Sequence, residues 1–222
     1  MIDIGWSRDS ALGQPVSSSN LQSFLEHLSA PIIIMSTEIP LMKNILISGG
    51  TGFVGSAIAR ELAEKHPECR ITIIDLNPPG PHHVVPGGVS FIRIDVTEPD
   101  EVQDAVSQVK PDIVIHTAGI VPVLSERFGR RLERKTWKIN VDGTKHMLQA
   151  AKSAGVQGFI YTSTCCVTTD DMRTPLPNID ERWPTSPSSL IYGESKVFAK
   201  LVFLMPLTRI GCCRSFGSGG MQ

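Results

Sequence analysis

A tyrosine and a lysine four residues apart are well suited to proton transfer. Tyr192 and Lys196 lie in the run YGESK, and on a helix this spacing places both side chains on one face. A phenol has an ordinary pKa of about 10, so it exchanges protons at neutral pH only if a cation stabilises its phenolate. Lys196 would supply that stabilisation. A partly exposed helical pair without a chemical role would show the same spacing.

Hydroxyl groups follow an apolar run in the segment Tyr161–Cys166 (YTSTCC). If this segment ends a strand of a parallel sheet, it lies where such sheets bind ligands. Ser163 or Thr164 could then donate a hydrogen bond to a substrate oxygen while Tyr192 exchanges the proton. Hydroxyls at strand ends are also commonly satisfied by backbone groups. The two cysteines that close the segment have no histidine near them in sequence, so we do not expect a thiol nucleophile.

A glycine-rich run, GGTGFVG at residues 49–55, has the spacing of a dinucleotide-binding turn. Gly49 permits a tight turn, Gly52 lets the backbone approach a pyrophosphate, and Gly55 lets a helix pack closely on the strand. A helix that begins here offers free N–H groups and the positive end of its dipole to an anion. A crowded turn without a ligand would need similar glycines, but the acid Asp75, 20 residues after Gly55, favours dinucleotide binding.

Two acids and a histidine close three further apolar runs. Asp75 can accept hydrogen bonds from ribose hydroxyls and would repel a 2′-phosphate, which favours NAD over NADP. It could instead be a solvated acid at a strand end. Asp95 could lie beside the adenine or hold a turn or helix cap, and the sequence leaves both roles open. His116 is expected to wall the cofactor site rather than act as a base.

The elements that position these groups alternate between short apolar runs and longer amphipathic ones. Strands are predicted at residues 44–48, 70–75, 89–95, 112–116 and 158–163, and helices at 53–66, 98–109 and 132–154. Strands separated by helices predict a parallel sheet with right-handed crossovers, covered on both faces. The predicted fold class is α/β, a Rossmann-like doubly wound sheet. Residues 1–40 are interpreted as an irregular extension, 41–204 as the NAD-binding domain and 205–222 as an atypical tail.

Composition and charge exclude several classes of protein. The 222 residues carry 21 Lys+Arg against 22 Asp+Glu, a net charge of −1, which argues against a nucleic-acid partner. The apolar runs are too short to cross a bilayer, so no transmembrane segment is predicted. Five cysteines without paired C-x-x-C motifs predict neither a metal site nor a disulfide framework, and a reducing compartment fits best.

The ordered set of motifs resembles the extended short-chain dehydrogenase/reductase superfamily. The motifs are GGTGFVG at 49–55, HTAG at 116–119, NVDGT at 140–144, YTST at 161–164 and YGESK at 192–196. Within that superfamily, HTAG, YTSTCCV and the segment PNIDERWP (177–184) are most similar to the 3β-hydroxysteroid (C-3 sterol) dehydrogenase/isomerase group.

The resemblance implies roles for individual residues. Tyr192 takes the position of the catalytic acid/base, Lys196 lowers its pKa and holds the nicotinamide ribose, and Thr164 replaces the serine that many relatives use to bind substrate. Asn140 takes a structural or proton-relay position. The candidate cofactor-binding residues are Gly49, Thr51, Gly52, Phe53, Val54, Gly55, Asp75, Asp95, Val96, His116, Ala118 and Lys196.

The activity implied is NAD-dependent oxidation of a secondary alcohol, a sterol-like 3β-hydroxyl, to a ketone. An NAD-dependent epimerase or dehydratase acting on a nucleotide sugar, and a non-catalytic NAD-binding module, remain alternatives. The implied partners are a small-molecule substrate and a homodimer mate, and the implied location is the cytoplasm or the cytosolic face of the endoplasmic reticulum.

The C-terminal part departs from the resemblance. Only 26 residues follow Lys196, whereas the superfamily's second half supplies a further strand and most of the substrate pocket. We therefore expect the substrate part to be missing, the sheet edge beyond the fifth strand to be unpaired, and the chain to be marginally stable with little activity.

Overall fold

Parallel strands form a single six-stranded sheet in the computed structural model, which describes residues 43–81, 83–126, 129–168, 185, 188–204 and 215–216. The strands are β1 (Asn44–Ser48), β2 (Arg70–Asp75), β3 (Ser90–Arg93), β4 (Ile113–His116), β5 (Gly158–Thr162) and β6 (Ser215–Phe216). The helices are α1 (Phe53–Lys65), α2 (Pro99–Val109), α3 (Glu133–Trp137), α4 (Gly143–Ser153) and α5 (Ile191–Leu204).

The strand order is β3-β2-β1-β4-β5-β6, and every pairing is parallel. The order reverses between β1 and β4, where Ser48 pairs with His116. In doubly wound sheets this switch point opens a crevice at the carboxyl ends of the strands, and ligands bind there. The predicted fold class is therefore confirmed.

The core lies on both faces of the sheet because successive residues of each strand point to opposite sides. In β1, Leu46 packs into the cluster that includes residues of α2, α4 and α5. Its neighbours Ile45 and Ile47 pack into a second cluster that includes Ala59 of α1. Burial on both faces explains why β1 is apolar at successive positions instead of at alternate ones.

Two predicted elements differ in detail from the structure. The helix predicted at 132–154 is divided, because a π turn at Lys138–Asp142 joins α3 to α4. The third strand ends at Arg93, two residues before the prediction. The cause is local, since Asp95 begins a turn in which its carbonyl oxygen accepts the N–H of Glu98 at 3.0 Å and its Oδ1 accepts the N–H of Thr97 at 2.8 Å.

The expectation of an unpaired edge beyond β5 is wrong for two of the five residues of that strand. Ser215 and Phe216 pair with Tyr161 and Thr162, so a short parallel strand covers the end of β5 nearest the cleft. The predicted extension at 1–40, the segment 177–184 and the rest of the tail lie outside the described residues. In the described part of the chain, no helix has the length and apolar character needed to cross a membrane.

Candidate active site

A cleft of about 670 Å³ opens at the carboxyl ends of β1, β2, β4 and β5, within the usual size range of ligand pockets. The predicted site residues that line it are Gly49, Thr51, Gly52, Phe53, Val54, Gly55, Asp75, Asp95, Val96, Ala118, Tyr192 and Lys196. Of the other two, Thr164 lies beside Tyr192, and His116 lies in the core.

The glycine turn between β1 and α1 brings bare backbone to the cleft. Gly49 has φ +70°, and a Cβ there would lie 2.6 Å from the backbone nitrogen of Ala118. A Cβ on Gly55 would overlap the carbonyl oxygen of Gly49. Gly52 is the N-cap of α1 and has no side chain to cap the helix, whose first turn contains no acid. The positive end of α1 therefore faces the cleft uncompensated, and this arrangement suits an anion such as a pyrophosphate.

Asp75, at the end of β2, braces the glycine turn. Its Oδ2 accepts the N–H of Thr51 at 3.2 Å, and its Oδ1 accepts the N–H of Asn77 at 3.4 Å. Ionised carboxylate oxygens accept more than one hydrogen bond, so this group can also accept a ribose hydroxyl.

Asp95 holds a turn, which is one of the roles that the sequence left open, while its place beside an adenine stays a prediction. It lines the cleft, and its Oδ1 accepts the N–H of Thr97 at 2.8 Å, which holds a turn ahead of α2. It is not the helix cap, because the N-cap of α2 is Glu98.

Tyr192, on the first turn of α5, lies beside the hydroxyl of Thr164. Burial raises the pKa of Tyr192, while its hydrogen bond with Thr164 partly offsets that rise and the nearby thiols of Cys166 and Cys165 add to it. Burial is therefore the largest influence on the pKa of Tyr192, and the lowering of that pKa by Lys196 together with a positively charged nicotinamide stays a prediction.

Thr164 has its own fixed place. It adopts an extended conformation as the N-cap of a 3-10 turn, and its Oγ1 accepts the N–H of Cys166 at 3.3 Å. Its O–H group is then free to donate to the phenol oxygen. Ser163, the other candidate hydroxyl, lines the cleft, and its buried Oγ has no hydrogen-bond partner within the described segments.

Lys196 is 4% exposed although it lines the cleft. Its ammonium group donates to the carbonyl oxygen of Thr162 at 3.1 Å and lies 4.8 Å from the centre of the Tyr161 ring. Burial lowers the pKa of Lys196 to about 8. The protein thus holds a desolvated cation one helical turn from the phenol.

His116 requires a correction, because it does not wall the cleft. Its ring is fully buried between two hydroxyls, with Ser48 Oγ 2.5 Å from Nδ1 and Thr144 Oγ1 3.0 Å from Nε2. Thr144 donates its own proton to the carbonyl of Asn140 at 2.7 Å. It must therefore accept from Nε2–H, and Ser48 donates to Nδ1. Burial, with a smaller contribution from Lys196, lowers the pKa of His116 to about 3, so the ring is neutral.

The sequence reasoning missed part of the cleft wall. The loop after β4 contributes Thr117, Gly119, Ile120 and Val121 as well as the predicted Ala118. The available signal was position, since these residues directly follow the carboxyl end of a central strand.

The family model described as "NAD dependent epimerase/dehydratase family" matches residues 45–204. The chain is 29% identical to sterol-4-alpha-carboxylate 3-dehydrogenase, decarboxylating, of Candida albicans, over 72% of this chain and 45% of that protein. It is 35% identical to 3 beta-hydroxysteroid dehydrogenase type 7 of Mus musculus, over 58% of this chain and 34% of that protein. The chain thus spans less than half the length of these relatives.

Solved structures with the same fold include enzymes with bound NAD. The Bordetella bronchiseptica enzyme WbmG in complex with NAD and UDP is 26% identical, with a TM-score of 0.61 over 74% of this chain and 50% of that chain. UDP-glucose 4-epimerase of Thermotoga maritima, with UDP-glucose, has a TM-score of 0.65 at 22% identity over 76% of this chain and 52% of that chain, which shows the shared fold.

Proposed function

The chain belongs to the NAD dependent epimerase/dehydratase family, and from that membership we propose that residues 41–204 bind NAD and oxidise a secondary alcohol to a ketone. The supporting observation is the cleft itself, which has an anion-binding turn at its centre, Asp75 on one side and the pair Tyr192 and Lys196 on the other.

The dimensions of the cleft suit a dinucleotide. Asp75 ends β2 and Thr162, the partner of Lys196, ends β5. These strands are three spacings apart in the sheet, or about 14 Å. The glycine turn after β1 lies between them. A molecule with a ribose at each end and a pyrophosphate in the middle fits this order of groups, with Asp75 at the adenosine ribose and Lys196 at the second ribose.

The proposed chemistry assigns one proton path to the chain. NAD, when bound, accepts a hydride from the carbinol carbon of the substrate. Tyr192 takes the hydroxyl proton, and Thr164 donates a hydrogen bond to the phenol oxygen that favours its ionised form. Lys196 contributes positive charge from α5, but the phenol needs a further positive group in the cleft to overcome its burial.

A sterol-like substrate is supported by exposed apolar side chains in the loop after β4, one of which, Val121, lines the cleft. Val121 and Val123, in the loop after β4, are 52% and 65% exposed. A sterol-like molecule would cover such side chains, whereas a sugar would not benefit from them. The sterol and 3β-hydroxysteroid dehydrogenases among the relatives support the same substrate class.

A nucleotide-sugar epimerase or dehydratase is the second candidate. The observation that favours it is the similarity to WbmG, whose structure contains NAD and UDP. Such an enzyme would use the same cleft and the same tyrosine.

Partners and location are part of this proposal. Phe198 and Leu201 on α5 are 45% and 37% exposed, and Phe198 packs on Trp137 of α3 at a ring distance of 4.6 Å. This apolar face supports a homodimer. A sterol is a membrane lipid, and a unit that oxidises it would work in the cytoplasm or at the cytosolic face of the endoplasmic reticulum.

The test is NADH formation by the purified chain with 3β-hydroxysterols and with nucleotide sugars. Turnover of a sterol, abolished in Tyr192→Phe while NAD binding persists, is the expected result. Turnover of a nucleotide sugar alone would favour the second candidate. If the chain binds NAD but turns over neither sterols nor nucleotide sugars, only the NAD-binding part of the proposal stands.

A further inference from the structure

A buried amide connects the cleft wall to the helix of the proposed catalytic pair. The Oδ1 of Asn140 accepts the N–H of Ile120 at 2.8 Å, and its Nδ2 donates to the carbonyl of Ile120 at 3.0 Å. The same Nδ2 donates to the hydroxyl of Ser195 at 2.9 Å. Asn140 and Ser195 are both fully buried.

The direction of each hydrogen bond follows from its partners. A backbone N–H can only donate, so the oxygen of Asn140 must face Ile120 and the two protons of its nitrogen must point to acceptors. Ser195 accepts one of these protons and donates its own to the carbonyl of Tyr192 at 2.8 Å. Every polar atom of the two side chains therefore has a partner.

The amide is itself held from the core. Asn140 lies in the π turn between α3 and α4, and its backbone carbonyl oxygen accepts the O–H of Thr144 at 2.7 Å. Thr144 in turn accepts the Nε2–H of the neutral His116. Contacts with β4 and α4 thus hold Asn140 in place independently of its contact with α5.

We propose that Ser195 is a positioning residue, which locks α5 through Asn140 to the cleft wall at Ile120 and so sets where Tyr192 and Lys196 stand. The lock itself follows from the contacts, and its effect on a ligand rests on the proposed NAD function. Lys196 is the next residue after Ser195 and lies close to the same wall, since a Cβ on Gly119 would lie 3.1 Å from Asn140 Oδ1 and 3.4 Å from Lys196 Nζ.

A small residue that only fills space would give the same burial, so the test must separate hydrogen bonding from packing. Ser195→Ala removes the hydroxyl, and Ser195→Thr keeps it. Thr136→Val is the matched control, because Thr136 is fully buried and its hydroxyl has no partner in the described ranges. If Ser195→Ala does not fold, Ser195→Cys replaces it, since a thiol is a weak hydrogen-bonding group.

The first measurement is amide hydrogen exchange of the whole 222-residue chain, followed by mass spectrometry of its peptides. A lost buried hydrogen bond should speed exchange about five- to tenfold. For Ser195→Ala we expect this increase in peptides that cover 117–121 and 191–197, with β1 and β2 unchanged. Thr136→Val should match the wild type, and Ser195→Thr should restore the wild-type pattern.

The second measurement compares two ligands by calorimetric titration. NAD reaches both ends of the proposed site, whereas ADP lacks the second ribose and the nicotinamide. Ser195→Ala should weaken NAD binding about tenfold, in line with one lost hydrogen bond, and leave ADP binding within about twofold of the wild type.

The two measurements together distinguish a positioning role of Ser195 from a role in packing alone. Local exchange and a loss confined to NAD, both restored by Ser195→Thr, support the positioning role. Uniform exchange, equal losses for NAD and ADP, or a Ser195→Thr variant that behaves like Ser195→Ala would overturn it in favour of packing. If the wild type binds neither ligand, the NAD proposal fails and the exchange pattern alone decides about Ser195.

Discussion

Replacing Lys196 by methionine should change how the stability of this protein depends on pH. The folded chain holds the amine 4% exposed with a pKa of about 8, below its ordinary value of 10.5. Below pH 8 the fold therefore contains a buried ammonium ion. Between pH 8 and 10.5 the unfolded chain binds more protons than the folded chain, so the stability of the wild type rises with pH across this window. Methionine has a similar length and no charge.

The size of the effect follows from the two pKa values. One pKa unit corresponds to about 1.4 kcal/mol, so a change from 10.5 to about 8 corresponds to about 3 kcal/mol. Methionine also loses the hydrogen bond to the carbonyl of Thr162 and the contact with the ring of Tyr161, which the amine makes in either protonation state and which stabilise the wild type by about 1 kcal/mol each. At pH 7 Lys196→Met should thus be more stable than the wild type by about 1 kcal/mol. By pH 10 the balance should reverse, after a relative change of about 2–3 kcal/mol.

Urea unfolding of both proteins at pH 7 and pH 10 measures this change. Comparison of the two proteins at each pH cancels the titration of the other groups. Lys145→Met, which removes an exposed lysine from α4, controls for the loss of a charge. A stability difference between wild type and Lys196→Met that stays constant from pH 7 to pH 10, or changes in the opposite direction, would refute the buried ammonium ion.

Three further substitutions test other parts of the site. Asp75→Ala should weaken NAD binding about ten- to a hundredfold in calorimetric titration, and NADP binding by the wild type as tight as NAD binding would contradict the role of Asp75. Gly49→Ala should lower the free energy of unfolding by at least about 1–3 kcal/mol, because φ is +70° and the added Cβ meets Ala118; an unchanged melting temperature would count against this geometry. His116→Phe should cost about 2–4 kcal/mol, because it removes the buried acceptor of the Ser48 hydroxyl and the N–H group that donates to Thr144. The substitution should change NAD binding by the folded fraction only slightly. A large loss of NAD affinity would indicate instead that His116 lines the cofactor site.

Residue types and their spacing are enough to predict the fold and many of the residues that line the cleft. The strands at 44–48 and 70–75 were predicted with the bounds that the structure shows, because a strand buried on both faces must be apolar throughout and Gly- or Pro-rich turns delimit it. The sequence also predicts the glycine turn, and in the structure Gly49 and Gly55 occupy positions where no Cβ fits. The strand pattern, the positive φ of Gly49 and the contact of Gly55 with Gly49 are local features, so they depend on residues that are close together in the chain.

The hydrogen-bond partners and the burial of the polar groups depend on contacts between distant segments. His116 ends a central strand, as the sequence indicated, but its side chain meets Ser48 from β1 and Thr144 from α4 beneath the cleft. Lys196 follows Tyr192 by one helical turn, but in the folded chain burial raises the pKa of Tyr192 and the hydrogen bond with Thr164 opposes that rise. Ser195 gave no signal of its own, because its partner Asn140 lies 55 residues away. Hydrogen-bond partners and desolvation depend on which distant segments meet, and residue spacing along one chain does not contain that information.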